Sequence, residues 1–115
     1  MLLLFLAALV LVPLSACGRP TEQRRITITL ADDTPAFSVA TLTFTKGQKV
    51  NLRVDNDTDD PQGFSIDAYR VHEVVQPHRP VRVRFTADRV GTFGIYDQLL
   101  STDQRAQEAH LLVVE

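Results

Sequence analysis

Short runs in which apolar and polar residues alternate with a period of two recur along residues 25–114, separated by turn-forming residues. A period of two puts one side of a segment in a core and the other in water, so it dictates half-buried strands rather than helices. Residues 25–31 (RITITLA) alternate and are rich in β-branched side chains, and Asp32-Asp33-Thr34-Pro35 breaks them. Residues 40–45 (ATLTFT) alternate again, and Lys46-Gly47-Gln48 reads as a turn. Residues 49–55 (KVNLRVD) put Val50, Leu52 and Val54 on one face and Asn51 and Arg53 on the other. Further strands are expected at 63–68, 71–75, 81–86, 92–96 and 109–114, with loops at 56–62, 76–80 and 87–91. In the run VRVRFT, Val81, Val83 and Phe85 face in, and Arg82 and Arg84 face out. Ser101-Thr102-Asp103-Gln104 has capping-box spacing, which predicts a short helix over about 102–108, just before the last strand. The pattern predicts an all-β fold, a β-sandwich of one small domain.

The first residues have a different character. Residues 2–14 (LLLFLAALVLVPL) are apolar without a break. The run is shorter than the roughly 20 residues that a bilayer-spanning helix needs, and it fits the apolar core of a secretory leader. No Lys or Arg precedes it. It leads into Leu14-Ser15-Ala16-Cys17, which resembles the lipobox of bacterial lipoproteins. The resemblance implies cleavage after residue 16 and acylation of Cys17, with the chain anchored to membrane lipid and facing the periplasm or the cell exterior. Residues 1–16 are then a lipoprotein signal peptide, 17–25 the lipidated cysteine and a tether, and 26–115 the folded domain. Cys17 is the only cysteine, so neither an intrachain disulfide nor a multi-thiolate zinc site can form. The formal net charge of −2 carries no signature of nucleic-acid binding.

Four pieces in order resemble the cupredoxin family. They are Thr43-Phe44-Thr45-Lys46-Gly47-Gln48-Lys49-Val50; Leu52-Arg53-Val54-Asp55-Asn56 leading to Gly63-Phe64-Ser65-Ile66; Val83-Arg84-Phe85-Thr86-Ala87-Asp88 with Gly91-Thr92-Phe93; and Tyr96-Asp97-Gln98-Leu99 closing on Leu112-Val113-Val114-Glu115. The run QGFSIDAY at 62–69 is especially similar to the binuclear-copper domains of nitrous oxide reductase and cytochrome oxidase subunit II. The resemblance implies a Greek-key sandwich. It also implies where copper would be held: a His before the Gly-Phe strand, one or two Cys after the penultimate strand, and further His and Met. Here Gln62 stands at the first His and Asp97 at the Cys. Leu100 stands where a mononuclear site has its second His, and Ser101 where a binuclear site has its second Cys. No Met follows Met1. Without a thiolate, a type 1 or binuclear copper centre is chemically implausible.

The remaining chemistry-bearing residues are few. Of the three histidines, His72 falls in a strand, His78 in a Pro-flanked loop and His110 on the last strand. Family topology places His110 and the Asp97 loop toward the old copper end, so His110 and Asp97 with Gln62 or Asp103 form the alternative candidate for copper or another borderline metal. The more ordinary reading is surface or hydrogen-bonded side chains. The run Asp55–Asp60 begins like a calcium loop, but the sixth position is Asp60 and the twelfth Ile66, so it reads as a solvated acidic turn. Arg53, Arg82 and Arg84 share outward phase and suggest either a basic stripe for a partner or anionic lipid, or simple solubility. Ser65 and Ser101 show no His-Asp arrangement, and Asp97 alone is not a mechanism. The expectation is a monomeric, non-enzymatic accessory or binding module, without a cofactor, that meets an envelope protein through the loops around Gln62, Asp97 and His110. The alternative is a copper or other metal carrier.

Overall fold

A computed structural model describes residues 20–101 and 109–115. The helix expected over 102–108, its residue Asp103, and the lipidation residue Cys17 lie outside the described residues. Described strands are β1 (Glu22–Ala31), β2 (Thr34–Phe37), β3 (Thr41–Thr45), β4 (Gln48–Asn56), β5 (Gln62–Ile66), β6 (Val71–Val75), β7 (Val81–Ala87), β8 (Gly91–Ile95) and β9 (Ala109–Val114). One sheet has the order β2-β1-β4-β7 and the other β3-β9-β8, with β5-β6 as a separate hairpin pair. Ser65 and Tyr96 exchange backbone hydrogen bonds (2.8 and 3.1 Å) and so attach the hairpin to the end of β8. The β1–β4 and β3–β9 pairs are parallel and the others antiparallel. Two layers with these crossovers make the Greek-key sandwich that the alternating runs and the family resemblance call for. Among the described residues, no helix is long and apolar enough to cross a membrane.

The alternation is realised as expected on β4 and β7. Val50, Leu52 and Val54 from β4, with Ile26 and Ile28 from β1, face Leu111 and Val113 from β9, and all are buried. Phe64 packs edge-on against Phe37, and Phe44 against Phe85, with ring centroids 5.9 and 6.3 Å apart. Burying such side chains contributes about 1.5–3 kcal/mol each, which is the main force holding the layers together.

Four local features differ from the sequence expectation. β1 begins at Glu22, inside the 17–25 segment read as a tether, because residues 22–25 pair in parallel with residues 50–53 of β4. Residues 32–35 do not simply break β1. Asp32 and Asp33 both take left-handed backbone angles (φ 49° and 61°), which closes a tight hairpin into β2. Pro35 is accommodated because β2 is an edge strand, whose outer side needs no N–H donor. The strand expected over 63–68 ends at Ile66. Asp67–Tyr69 form a 3-10 turn, closed by Arg70 in the left-handed region (φ 56°).

The loop 56–62 is also less solvated than its composition suggests, since Asn56 and Thr58 are buried. The Asn56 amide donates to the carbonyls of Asp60 (2.8 Å) and Val75 (2.9 Å), and its Oδ1 accepts from the Thr58 N–H (2.9 Å) and hydroxyl (2.7 Å). A single side chain therefore satisfies the loop's own polar groups and ties it to β6. Asn56→Ala strips four hydrogen bonds from a buried site and is expected to cost about 2–4 kcal/mol, read as a lowered midpoint in chemical denaturation.

Candidate functional site

The positions that the family resemblance assigns to copper ligands lie at one end of the sandwich, where β5 meets the chain leaving β8. Gln62 is 4% exposed and Asp97 5% exposed, so both are buried. Ser65 and Tyr96 form a hydrogen-bonded antiparallel pair, so the next ladder bond from Gly63 would go to the backbone of residue 98. The chain turns away before it gets there. Asp97 Oδ1 takes the place of that carbonyl and accepts the Gly63 N–H at 2.6 Å. The same oxygen accepts the Leu99 N–H at 2.9 Å, and the Leu100 N–H donates to the Asp97 carbonyl at 3.2 Å. The carboxylate at the position that the resemblance assigns to a cysteine thus extends the ladder by one rung and shapes the turn after it. Gln62, at the position that the resemblance assigns to a histidine, donates from its amide to the Thr58 hydroxyl (3.0 Å) and joins the Asn56 network.

The turn folds back over the outer face of β5. Gln98 accepts from the Ser65 hydroxyl (2.8 Å) and donates to the Glu73 carbonyl (2.8 Å), which lays its side chain across the hairpin. All five residues of β5 are buried as a result. A Cβ added at Gly63 would overlap Gln98 Oε1 and Asp97 Oδ1, so this glycine is required by close approach. Alternation within GFSIDA marks Phe64 and Ile66 as the core face but does not show that a turn over 30 residues later covers the other one.

Around Ser65 the structure gathers residues that the sequence reading leaves apart. His72 Nδ1 lies 3.2 Å from Ser65 Oγ and 3.7 Å from Asp67 Oδ1, and the Tyr96 hydroxyl donates to Asp67 Oδ1 at 2.7 Å. The residue types are those of a hydrolase triad, but the geometry is not. A relay needs one ring nitrogen facing the serine and the other facing the carboxylate. Here both lie at Nδ1, and the Ser65 proton is given to Gln98. The group is a polar cover on the hairpin.

His110 is exposed on β9, opposite Gly94 and Thr41. It projects from the outer face of its sheet, whereas the Asp97 carboxylate lies in the plane of the β5 ladder. Among the described residues, no three His, Cys, Asp or Glu side chains gather as a group that could hold a metal ion. Leu100 offers no donor, and Ser101 is an exposed alcohol. An amide, a carboxylate already bonded to two backbone N–H groups, an alkyl group and an alcohol do not fit the soft thiolate-imidazole set of a type 1 or binuclear centre. Among the described residues, the side-chain partner of His78 Nε2 is Asp59, at 3.4 Å, on the surface. Of the arginine stripe, Arg53 pairs with Asp55 (2.9 Å), as does Arg25 (3.2 Å). Arg82 and Arg84 are exposed and make no ion pair among the described residues.

Removing the Asp97 acceptor leaves the Gly63 N–H buried without a partner. Asp97→Ala is expected to lower stability by about 2–3 kcal/mol, and Asp97→Asn, which keeps a carbonyl oxygen, to restore most of it in the same thermal melt. Gly63→Ala overpacks the contact with Gln98 and is expected to cost about 1–3 kcal/mol, with proteolysis starting in the 97–100 turn.

Comparison with known proteins agrees with this architecture. Residues 2–113 match the family model described as a cupredoxin-like domain. Over 76 residues, 64% of this chain, the sequence is 34% identical to nitrous-oxide reductase of Cupriavidus necator, and 30% identical to that of Ralstonia nicotianae. The matched region is 12% of each reductase, so the chain corresponds to a small part of those proteins. Among solved structures, a copper nitrite reductase from Nitrosomonas europaea superposes with a TM-score of 0.68 at 18% identity, over 82% of this chain and 41% of that one. Reduced auracyanin from Roseiflexus castenholzii superposes with a TM-score of 0.64 at 15% identity, over 85% of this chain and all of that one. The sandwich, its strand order and the match along the sequence together place this chain in the cupredoxin-like domain family.

Proposed function

We propose that this chain is a membrane-anchored, extracytoplasmic cupredoxin-like lipoprotein that acts as a non-enzymatic binding or accessory module. Acylated Cys17 holds it to the membrane. The loops around Gln62, Asp97 and His110 form the end that meets an envelope protein, at the place where the family's copper proteins keep their metal. The observation that carries this reading is the Gly63–Asp97 hydrogen bond. The residue at the thiolate position has become a structural acceptor, so the loop is held in shape by the chain's own hydrogen bonds. Gln62, bonded into the Thr58–Asn56 network, supports the same conclusion. A rigid, polar, metal-independent end suits recognition of another protein better than electron transfer, for which the chain offers no redox group of its own.

Titration of the purified full chain in detergent with Cu(I), Cu(II) and Zn(II), followed by calorimetry and visible absorption, tests the proposal. The expected outcome is no tight one-to-one binding and no intense thiolate-to-copper band. Tight stoichiometric binding that disappears in His110→Ala would instead establish the metal-carrier reading.

A further inference from the structure

The strand registers divide the charged residues between the two ends of the sandwich. Glu22 pairs with Val50 at the start of β4, and β4 pairs there with the last residues of β7, Phe85 to Ala87. The Lys46 N–H donates to the Val114 carbonyl and the Gly47 N–H to the Ala87 carbonyl, both at 2.7 Å. The chain therefore enters β1 at the same end as the 46–47 turn, the 88–90 turn and the end of β9. This end carries Lys46, Lys49, Arg70, Arg84 and Arg89, all exposed. Of these, only Arg89 has an ion-pair partner among the described residues, Asp88 at 3.6 Å. Glu22 is occupied by Arg24 at 2.8 Å, Asp67 opens the turn that Arg70 closes, and Asp88, which lines a cleft at this end, and Glu115 are the other acids here.

The opposite end is acidic. The β1–β2 turn and the loop after β4 place Asp32, Asp33, Asp57, Asp59 and Asp60 there, all exposed, and the Asp97 turn lies at the same end. A net charge of −2 conceals this separation.

The basic end is also indented. A cleft of about 400 Å³ lies between Arg70, Arg84 and Arg89, with Tyr69 and Phe85 in its wall. Arg89 is held in place by the Ala68 carbonyl and by the rings of Tyr69 and Phe93, each 5.6 Å away. Its guanidinium is fixed before any ligand arrives, which lowers the entropic cost of meeting an anion.

We infer that the basic end, from Lys46 and Lys49 to the Arg70–Arg84–Arg89 cleft, docks on the anionic headgroups of the membrane in which the chain is anchored. This orients the Asp97 end outward, toward its partner. The inference rests on the anchored reading proposed above. Five residue steps separate Cys17 from Glu22, a reach of at most about 17 Å. So short a tether keeps the entry end of β1 near the bilayer, and that end is the basic one. Basic groups near an anionic leaflet are attracted within about a Debye length, and the acidic end is repelled.

The test uses the full acylated chain reconstituted in vesicles of phosphatidylcholine alone or with phosphatidylglycerol. Nitroxide probes are placed at the basic end (Thr86→Cys) or the acidic end (Asp59→Cys). Retention through a high-salt wash on both vesicles reports the anchor. Docking is read separately, as exposure of each probe to a water-soluble relaxing agent. With phosphatidylglycerol present, the Thr86 probe is expected to be shielded and the Asp59 probe to stay exposed. Neutralising Lys46, Lys49 and Arg84 to Gln removes the shielding, each substitution weakening association with the anionic surface by about fivefold. Asp57→Asn with Asp60→Asn leaves it unchanged. A retained chain whose Thr86 probe is equally exposed on both vesicles overturns the docking and leaves the anchor standing. A chain washed off neutral vesicles, but held and shielded on anionic ones at low salt, supports the docking and overturns the anchor. Loss from both vesicles under all conditions overturns both.

Discussion

β5 is covered on both faces, and much of the site depends on how that cover is held. On its inner side Phe64 and Ile66 join the core. On its outer side Gln98 lies across Gly63 and Ser65. The turn that carries Gln98 is positioned by one carboxylate oxygen that accepts two backbone N–H groups. A charged acceptor in a buried place makes such bonds short and strong, and it satisfies donors that would otherwise be stranded. A side chain and the backbone together hold this corner of the fold.

The polar network on the other side of Gln62 follows the same logic. A buried loop must satisfy its own polar groups. Asn56 and Thr58 do so by burial and mutual hydrogen bonding, and Gln62 closes the group against the Thr58 hydroxyl. The result is an end whose shape is set before it meets any partner, in keeping with a recognition role. The charge separation along the strands acts at longer range. Five exposed aspartates outnumber Arg79 in the turns of this end, and lysines and arginines outnumber the acids at the other, so the molecule carries an electrical direction as well as a structural one.

Much of the fold was legible in the sequence because the strands of a two-layer sandwich report their burial by alternation. Residues 49–55 and 81–86 show their inward and outward faces directly, and the observed β4 and β7 extend them only slightly. The β2 strand was not legible, since Pro35 and two aspartates read as a break when they are in fact a turn and an edge. The residue types at Gln62, Asp97, Leu100 and Ser101 were legible in the sequence. That Asp97 would bond Gly63 was not, because the two lie 34 residues apart and meet only through the pairing of β5 with the chain after β8. The approach of Ser65, Asp67 and His72 was hidden too, because the 3-10 turn that brings it about lies within a run that reads as strand.

The amino-acid sequence by itself determined the class of fold, the lack of any cysteine after Cys17, and the outward phase of the arginines. Each of these is a property of residue type and local spacing, which do not depend on what lies across the molecule. Only the tertiary structure decided that Asp97 would serve as a backbone acceptor for a glycine 34 residues earlier in the chain. It also decided that His110 would face away from the Asp97 carboxylate, and that the basic residues would collect at the end where the chain enters. Those outcomes depend on strand pairing and register, which set distances between residues far apart in the chain and are recorded in no single segment of it.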